Sequence, residues 1–293
     1  MEKNQETRAK LSLLASMAIF GTIGIFRRYI DLPSTVIALG RGAIGFVFLL
    51  LLVLLLKNGV SKPAIKNNFK YLCLSGAFIG FNWIFLFEAY RYTSVAAATL
   101  SYYMAPVFVI LASPFLFKER LTPLKAACAA AAFLGMVLVS GLWQTGLGGA
   151  SSLKGIAFGL IAAVFYACVI LLNKMIHDID AYDKTLTQLG AATIVLLPYT
   201  WLMGDLSGLQ FTTLTVVLLL IVGIVHTGIC YALYFGSMSY LKAQTIALFS
   251  YLDPIVAVIL SAVILGENIG LAGYLGAVLI LGAACVSELK GDS

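Results

Sequence analysis

Apolar stretches of about twenty residues, the length a helix needs to cross the ~30 Å hydrocarbon core of a bilayer, recur along the whole chain between short polar breaks. Inside lipid only a helix or a closed barrel satisfies its own backbone hydrogen bonds. Cutting at the breaks gives spans near 10–28, 34–56, 70–90, 94–117, 122–142, 153–173, 185–204, 212–237, 243–265 and 270–288. Charged residues make up 11% of the chain, against roughly 25% in soluble domains. That is too little charge to coat a water-exposed surface. The fold class predicted is an all-α polytopic membrane protein of ten transmembrane helices with no inserted soluble domain. The opening segment MEKNQETRAK precedes the first apolar run with no small-residue cleavage site, so that run reads as the first span and not as a removed signal.

The net charge of +6 does not point to nucleic acid, because the basic residues lie in short breaks and form no single face. With the N-terminus placed in the cytoplasm, fourteen lysines and arginines fall in inner segments. Four (Arg27, Arg28, Arg91 and Lys154) fall in outer ones, and Arg41 lies within the second span. The excess puts both termini on the cytoplasmic side. Lys174 and Lys184 belong to the inner count, as residues of the break after the sixth span. The five cysteines lie in apolar stretches without metal-ligand spacing and read as small buried hydrophobes. No P-loop, HExxH pair or glycine-flanked nucleophile occurs. An enzyme, an ATP-driven pump and a bound cofactor are therefore not expected.

The chain also repeats itself. AYRYTSVAAATLSYYMAPVFVILASPFLFKER (89–120) lies over SMSYLKAQTIALFSYLDPIVAVILSAVILGEN (237–268) without a gap. Tyr92 then meets Tyr240, Tyr103 meets Tyr251, Pro106 meets Pro254, and Glu119 meets Glu267. Two units follow, 1–148 and 149–293, each of five spans. Because five is odd, the second enters the membrane from the opposite side, giving two inverted five-helix repeats of the kind that lets a central site open alternately to each face. The paired segments TLSYYMAPVFVILASPFLFKERLT and ALFSYLDPIVAVILSAVILGENI each carry a mid-span proline, a small–aliphatic run and a distal glutamate. On these features the chain resembles the ten-span EamA-type branch of the drug/metabolite transporter superfamily. The resemblance implies a secondary transporter of a bacterial inner membrane. It also implies a cavity built mainly from spans 1, 3, 4, 6, 8 and 9, with 5 and 10 peripheral.

Candidate site residues follow from polar or rigid groups at mid-depth. Asp253 stands beside Pro254 in the ninth span, where a carboxylate costs roughly 2.5–3.5 kcal/mol. Its counterpart in the first half is Ala105, so the repeat does not demand an acid. It reads as a cavity-facing carboxylate for an amine or a proton, or as a structural partner of the backbone that Pro254 frees. Pro106 and Pro254 are candidate helix breaks. His226, mid-span, either titrates or binds substrate, or packs against a neighbouring helix. At helical spacing it shares a face with Cys230 and Tyr234. Asn82 and Trp83, with Tyr90, supply an amide and an aromatic wall, which Tyr102, Tyr103 and Tyr251 extend for flat or cationic ligands. Arg41 either snorkels outward or partners Asp253, Glu88 or a substrate carboxylate. Glu88 and Arg91 stand at pairing distance on one helix. Glu119 and Glu267 are expected to cap or anchor span ends.

The function expected is secondary transport of a small amphiphilic metabolite, namely an amino acid, related amine or aromatic compound, exported across the inner membrane by alternating access. Protons are the candidate coupling ion. An importer or exchanger of an organic cation such as choline, and a non-transporting membrane sensor, are the alternatives. Phosphorylated cargo is disfavoured because Arg41 is the one central cation read from the sequence. Monomer and homodimer are both compatible with it, and lipid is the surrounding partner.

Overall fold

In a computed structural model, the described residues are 2–56, 60–117, 122–139, 150–204, 206–238, 240–241, 249–250, 252–268 and 270–290. Their regular structure is helical throughout: α1 (Glu2–Gly21), α2 (Ile23–Tyr29), α3 (Ser34–Leu56), α4 (Lys62–Tyr92), α5 (Val95–Tyr102), α6 (Ala105–Phe117) and α7 (Pro123–Val139). The second half holds α8 (Ala150–Asn173), α9 (Ala181–Met203), α10 (Thr213–Gly223), a π-helical turn (Ile224–Ile229), α11 (Cys230–Met238), α12 (Leu252–Leu265) and α13 (Gly270–Lys290). Seven stretches are long and apolar enough to cross a bilayer: 5–29, 34–55, 62–92, 95–116, 151–173, 181–203 and 213–234. Pro123–Val139, Leu252–Leu265 and Gly270–Ala283 are shorter apolar helices. Together these occupy the ten positions expected from the sequence. Tyr251 and Glu119 lie outside the described residues.

Two helices start earlier than the hydropathy implies. α4 begins at Lys62, with Pro63 in the first turn, where its missing N–H would have had no partner anyway. Its first three turns keep Lys62, Lys66 and Lys70 exposed. α9 begins at Ala181 because the Asp180 side chain accepts from the Tyr182 N–H as an N-cap. This start carries Lys184, read from sequence as a loop residue, into a helix.

Helix pairing treats the two halves alike. α4 packs on α8 as α1 packs on α11, and α5 and α6 pack on α8 as α12 packs on α1 and α2. α3 pairs with α9, α5 with α12, and α7 with α13. The α7–α13 crossing is set by glycine: a Cβ on Gly135 would stand 2.7 Å from the Gly276 carbonyl oxygen, and one on Gly276 would meet the Gly135 carbonyl. Small residues allow this approach, which supplies van der Waals contact where lipid offers no hydrophobic drive. α3 approaches α10 and the π-turn in the same manner, with the Gly223 Cβ position 2.5 Å from Ile44 Cβ.

The expected consequence is testable by thermal unfolding in detergent. Gly223→Val overpacks the α3 crossing and should cost about 1–3 kcal/mol, seen as a lowered midpoint. Gly282→Ala, whose added methyl meets nothing within 4 Å, should leave the midpoint unchanged. Equal midpoints for both variants would refute the crossing as a tight contact.

Candidate functional site

Three places where the helical backbone is interrupted face one cavity. The first span bends at Thr22, whose N–H donates to the Ile19 carbonyl between α1 and α2. The fourth span turns at Tyr103–Met104, ahead of Pro106 in the first turn of α6. There proline lacks only a donor that a first turn does not need. The third is the π-turn of 224–229, a widened turn of the sort that recurs at functional sites. Phe20 and Ile23 flank the first interruption, Tyr102 and Tyr103 the second, and Tyr231 and Tyr234 follow the third; all six line the cavity. Asp253 lines it from the first turn of α12, with Pro254 buried beside it.

The cavity measures about 350 Å³, within the ~300–1,000 Å³ range of small-molecule pockets. Three of its lining residues are charged: Arg41, Lys184 and Asp253. Tyr103 donates its phenolic O–H to Asp253 Oδ2 at 2.8 Å, with the Ser250 carbonyl oxygen at 3.3 Å from the same hydroxyl. Among the described residues Asp253 has no cation within ion-pair distance, so the tyrosine is its neutral anchor. Arg41 does not snorkel. It is buried, its guanidinium carbon lies 4.5 Å from the Trp83 ring centroid, and its Nε donates to Thr227 Oγ1 at 2.8 Å. The Thr227 hydroxyl spends its proton on the Val222 carbonyl at 3.1 Å, five residues back along the π-turn, and is thereby left as an acceptor for Arg41. Among the described residues the Nη atoms of Arg41 have no hydrogen-bonded acceptor, and the residue lines the cavity.

Neutral polar groups complete the lining. Asn82 Nδ2 ties α4 to α8 through the Ala162 carbonyl at 2.7 Å. Gln188 Nε2 donates to both Ser75 Oγ and Asn173 Oδ1 at 2.7 Å. Tyr90 and Thr99 share a hydrogen bond at 3.2 Å, and Tyr102 packs edge-on to Tyr103 and tilted against Tyr166, with centroids 5.8 and 5.3 Å apart.

Of the residues singled out in the sequence, Asp253, Asn82, Trp83, Tyr102, Tyr103, Tyr234 and Arg41 meet in this cavity. One expectation needs correction. His226 is absent from the lining: it is 1% exposed, its Nε2 lies 2.8 Å from Thr22 Oγ1, and its ring stands edge-on to Phe26 at 4.8 Å. Because the Thr22 hydroxyl donates to the Ile19 carbonyl, Nε2–H is the donor and the imidazole joins the first and eighth spans. The π-turn adds about one residue per turn, which breaks the regular spacing that put His226 on the face of Tyr234. Glu88 pairs with Arg91 at 3.1 Å near the end of α4, as their spacing in the sequence suggests, which leaves it no part in holding Arg41. The cavity also takes residues from spans 2 and 7, beyond the six spans that the resemblance implied as its main walls. Lys184, Asn173 and Gln188 were missed because hydropathy assigns the lysine to a loop and leaves the facing of the amides open.

Two stretches of the chain, residues 7–141 and 153–288, match the family model described as EamA-like transporter family. The chain belongs to that family. It is 32% identical to the uncharacterized transporter YxxF of Bacillus subtilis (strain 168), over 99% of this chain and 92% of that one. It is 26% identical to an uncharacterized transporter of Archaeoglobus fulgidus over 94% of each. A solved crystal structure with 21% identity superposes with a TM-score of 0.63, covering 97% of this chain and 98% of the other, a likeness of fold. The protein is thus an integral membrane transporter, and in this EamA-like transporter His226 is a joint between helices. His226→Leu should cost roughly the 1 kcal/mol of stability of one hydrogen bond, seen as a lowered thermal midpoint, while leaving the KM for cargo unchanged. A raised KM at an unchanged midpoint would return the imidazole to the binding surface.

Proposed function

We propose that this EamA-like transporter exports a small zwitterionic metabolite, an amino acid or related amine, across a bacterial inner membrane by alternating access, with both termini in the cytoplasm. The observation that supports the reading best is a guanidinium and a carboxylate in one aromatic-walled cavity with no ion pair between them within 4 Å among the described residues. Arginine's planar fork suits a cargo carboxylate, and Asp253 suits a cargo ammonium or a coupling proton. The tyrosines and Trp83 suit a flat or apolar side chain between them. Arg41 weighs against an organic cation such as choline, since a permanent positive charge gains nothing from a guanidinium in a low-dielectric wall. The like pairing of helices in the two halves supports inverted repeats rocking about this cavity.

Lys184 favours a second reading, in which the cargo carries an additional anionic group. The sequence alone left Arg41 as the one central cation, and Lys184 adds another to the wall.

Counterflow in liposomes tests both. Vesicles are loaded with neutral, acidic and aromatic amino acids in separate pools, alongside amines and choline. Saturable exchange of an amino-acid pool is expected, and Asp253→Asn and Arg41→Gln should each lower kcat/KM at least about tenfold, the effect of losing one charge-assisted contact. Exchange of choline alone, or exchange untouched by both substitutions, would sink the zwitterion reading. If Lys184→Ala weakens acidic cargo selectively, the second reading holds. An imposed inward-acid pH gradient that changes the rate in the wild type and not in Asp253→Asn would make that carboxylate the proton carrier.

A further inference from the structure

At one end of the bundle a single carboxylate joins three separate segments of the chain. Glu267 follows α12; its Oε1 accepts from Arg28 Nη2 at 2.7 Å, and its Oε2 accepts from the Val95 backbone N–H at 2.7 Å and from the Ser261 hydroxyl. Arg28, at the end of α2, donates from the same Nη2 to the Thr93 carbonyl oxygen at 2.7 Å. Thr93 and Val95 flank Ser94, the N-cap of α5. The first span, the junction of the third and fourth spans, and the end of the ninth are therefore held by one charge-assisted knot. Every one of those spans also lines the cavity, through Phe20 and Ile23, through Tyr90 and Thr99, and through Asp253.

The knot has the chemistry of a latch. Arg28 and Glu267 are 32% and 17% exposed, so water can replace each bond as it breaks and opening leaves no charge stranded in lipid. Two halves of the chain, 239 positions apart in sequence, meet here. The carboxylate also lies at the N-terminal turn of α5, where negative charge is favoured. Breaking the pair, with the Arg28–Thr93 bond, would release α2 from the junction of α5 and α12 at this end, on the Tyr90–Thr99 side of the cavity. In the orientation set by the loop charges, this end faces outward.

We propose that Arg28 and Glu267 form the outer latch of the transport cycle, closed while the cavity is shut to the outside and broken for cargo release. They are positioning residues, since neither lines the cavity. The inference rests on the alternating-access reading above and not on the identity of the cargo.

Sided labelling tests it on the full-length protein in cells and in inside-out vesicles. The five native cysteines are replaced, and Leu86→Cys, in the cavity wall, reports access to a membrane-impermeant maleimide. In Glu267→Gln, and separately in Arg28→Ala, labelling from outside should rise roughly tenfold, the population change expected for a lost charge-assisted hydrogen bond, while labelling from the cytoplasmic side falls. Arg28→Lys should keep outside labelling low. Unchanged labelling in both variants overturns the latch, and so does a rise from both sides, which would mark general loosening. Because no cargo is needed, failure of the latch and failure of the zwitterion reading are read separately.

Discussion

Lipid offers no hydrogen-bond partners, so any backbone group that leaves the helical ladder must find one inside the protein. That constraint organises this molecule. Among the described residues, three interruptions, where α1 meets α2, where α5 meets α6, and at the π-turn before α11, turn toward one cavity. By contrast α7 and α13 pack on each other through glycine, supply no residue to the cavity lining and present many exposed apolar side chains. Irregular backbone and polar side chains thus meet in one place, and the place is the site.

Charge follows the same logic. Arg41 is buried without an ion pair among the described residues, held instead by a ring face and a hydroxyl. Asp253 is held by a phenol. Neutral anchors orient both groups without cancelling them, which leaves each charge available to a ligand. The opposite choice is made at the end of the bundle, where Arg28 and Glu267 satisfy each other directly within reach of water.

Much of the frame was legible in the sequence, because apolar length and the repeat of proline and glutamate are periodic signals that survive folding. Asp253, Asn82, Trp83 and the Tyr102–Tyr103 pair were visible for a related reason: polar groups at mid-depth have few places to face. What escaped depends on details that hydropathy does not encode. The π-turn moved His226 off the face of Tyr234, and an Asp180 cap drew Lys184 into a helix. The Arg28–Glu267 contact joins residues from opposite halves, and the sequence foresaw only an anchoring role for the glutamate.

The stacking of Arg41 on Trp83 has an optical consequence. Indole emission responds to a nearby positive charge, and any pull of a ligand carboxylate on this guanidinium changes the charge over that one ring. Trp201 lies on the outside of the bundle, 74% exposed, and senses its surroundings independently. Of the chain's three tryptophans, Trp83 would thus register, without any attached dye, a ligand drawn to Arg41, while Trp201 would not.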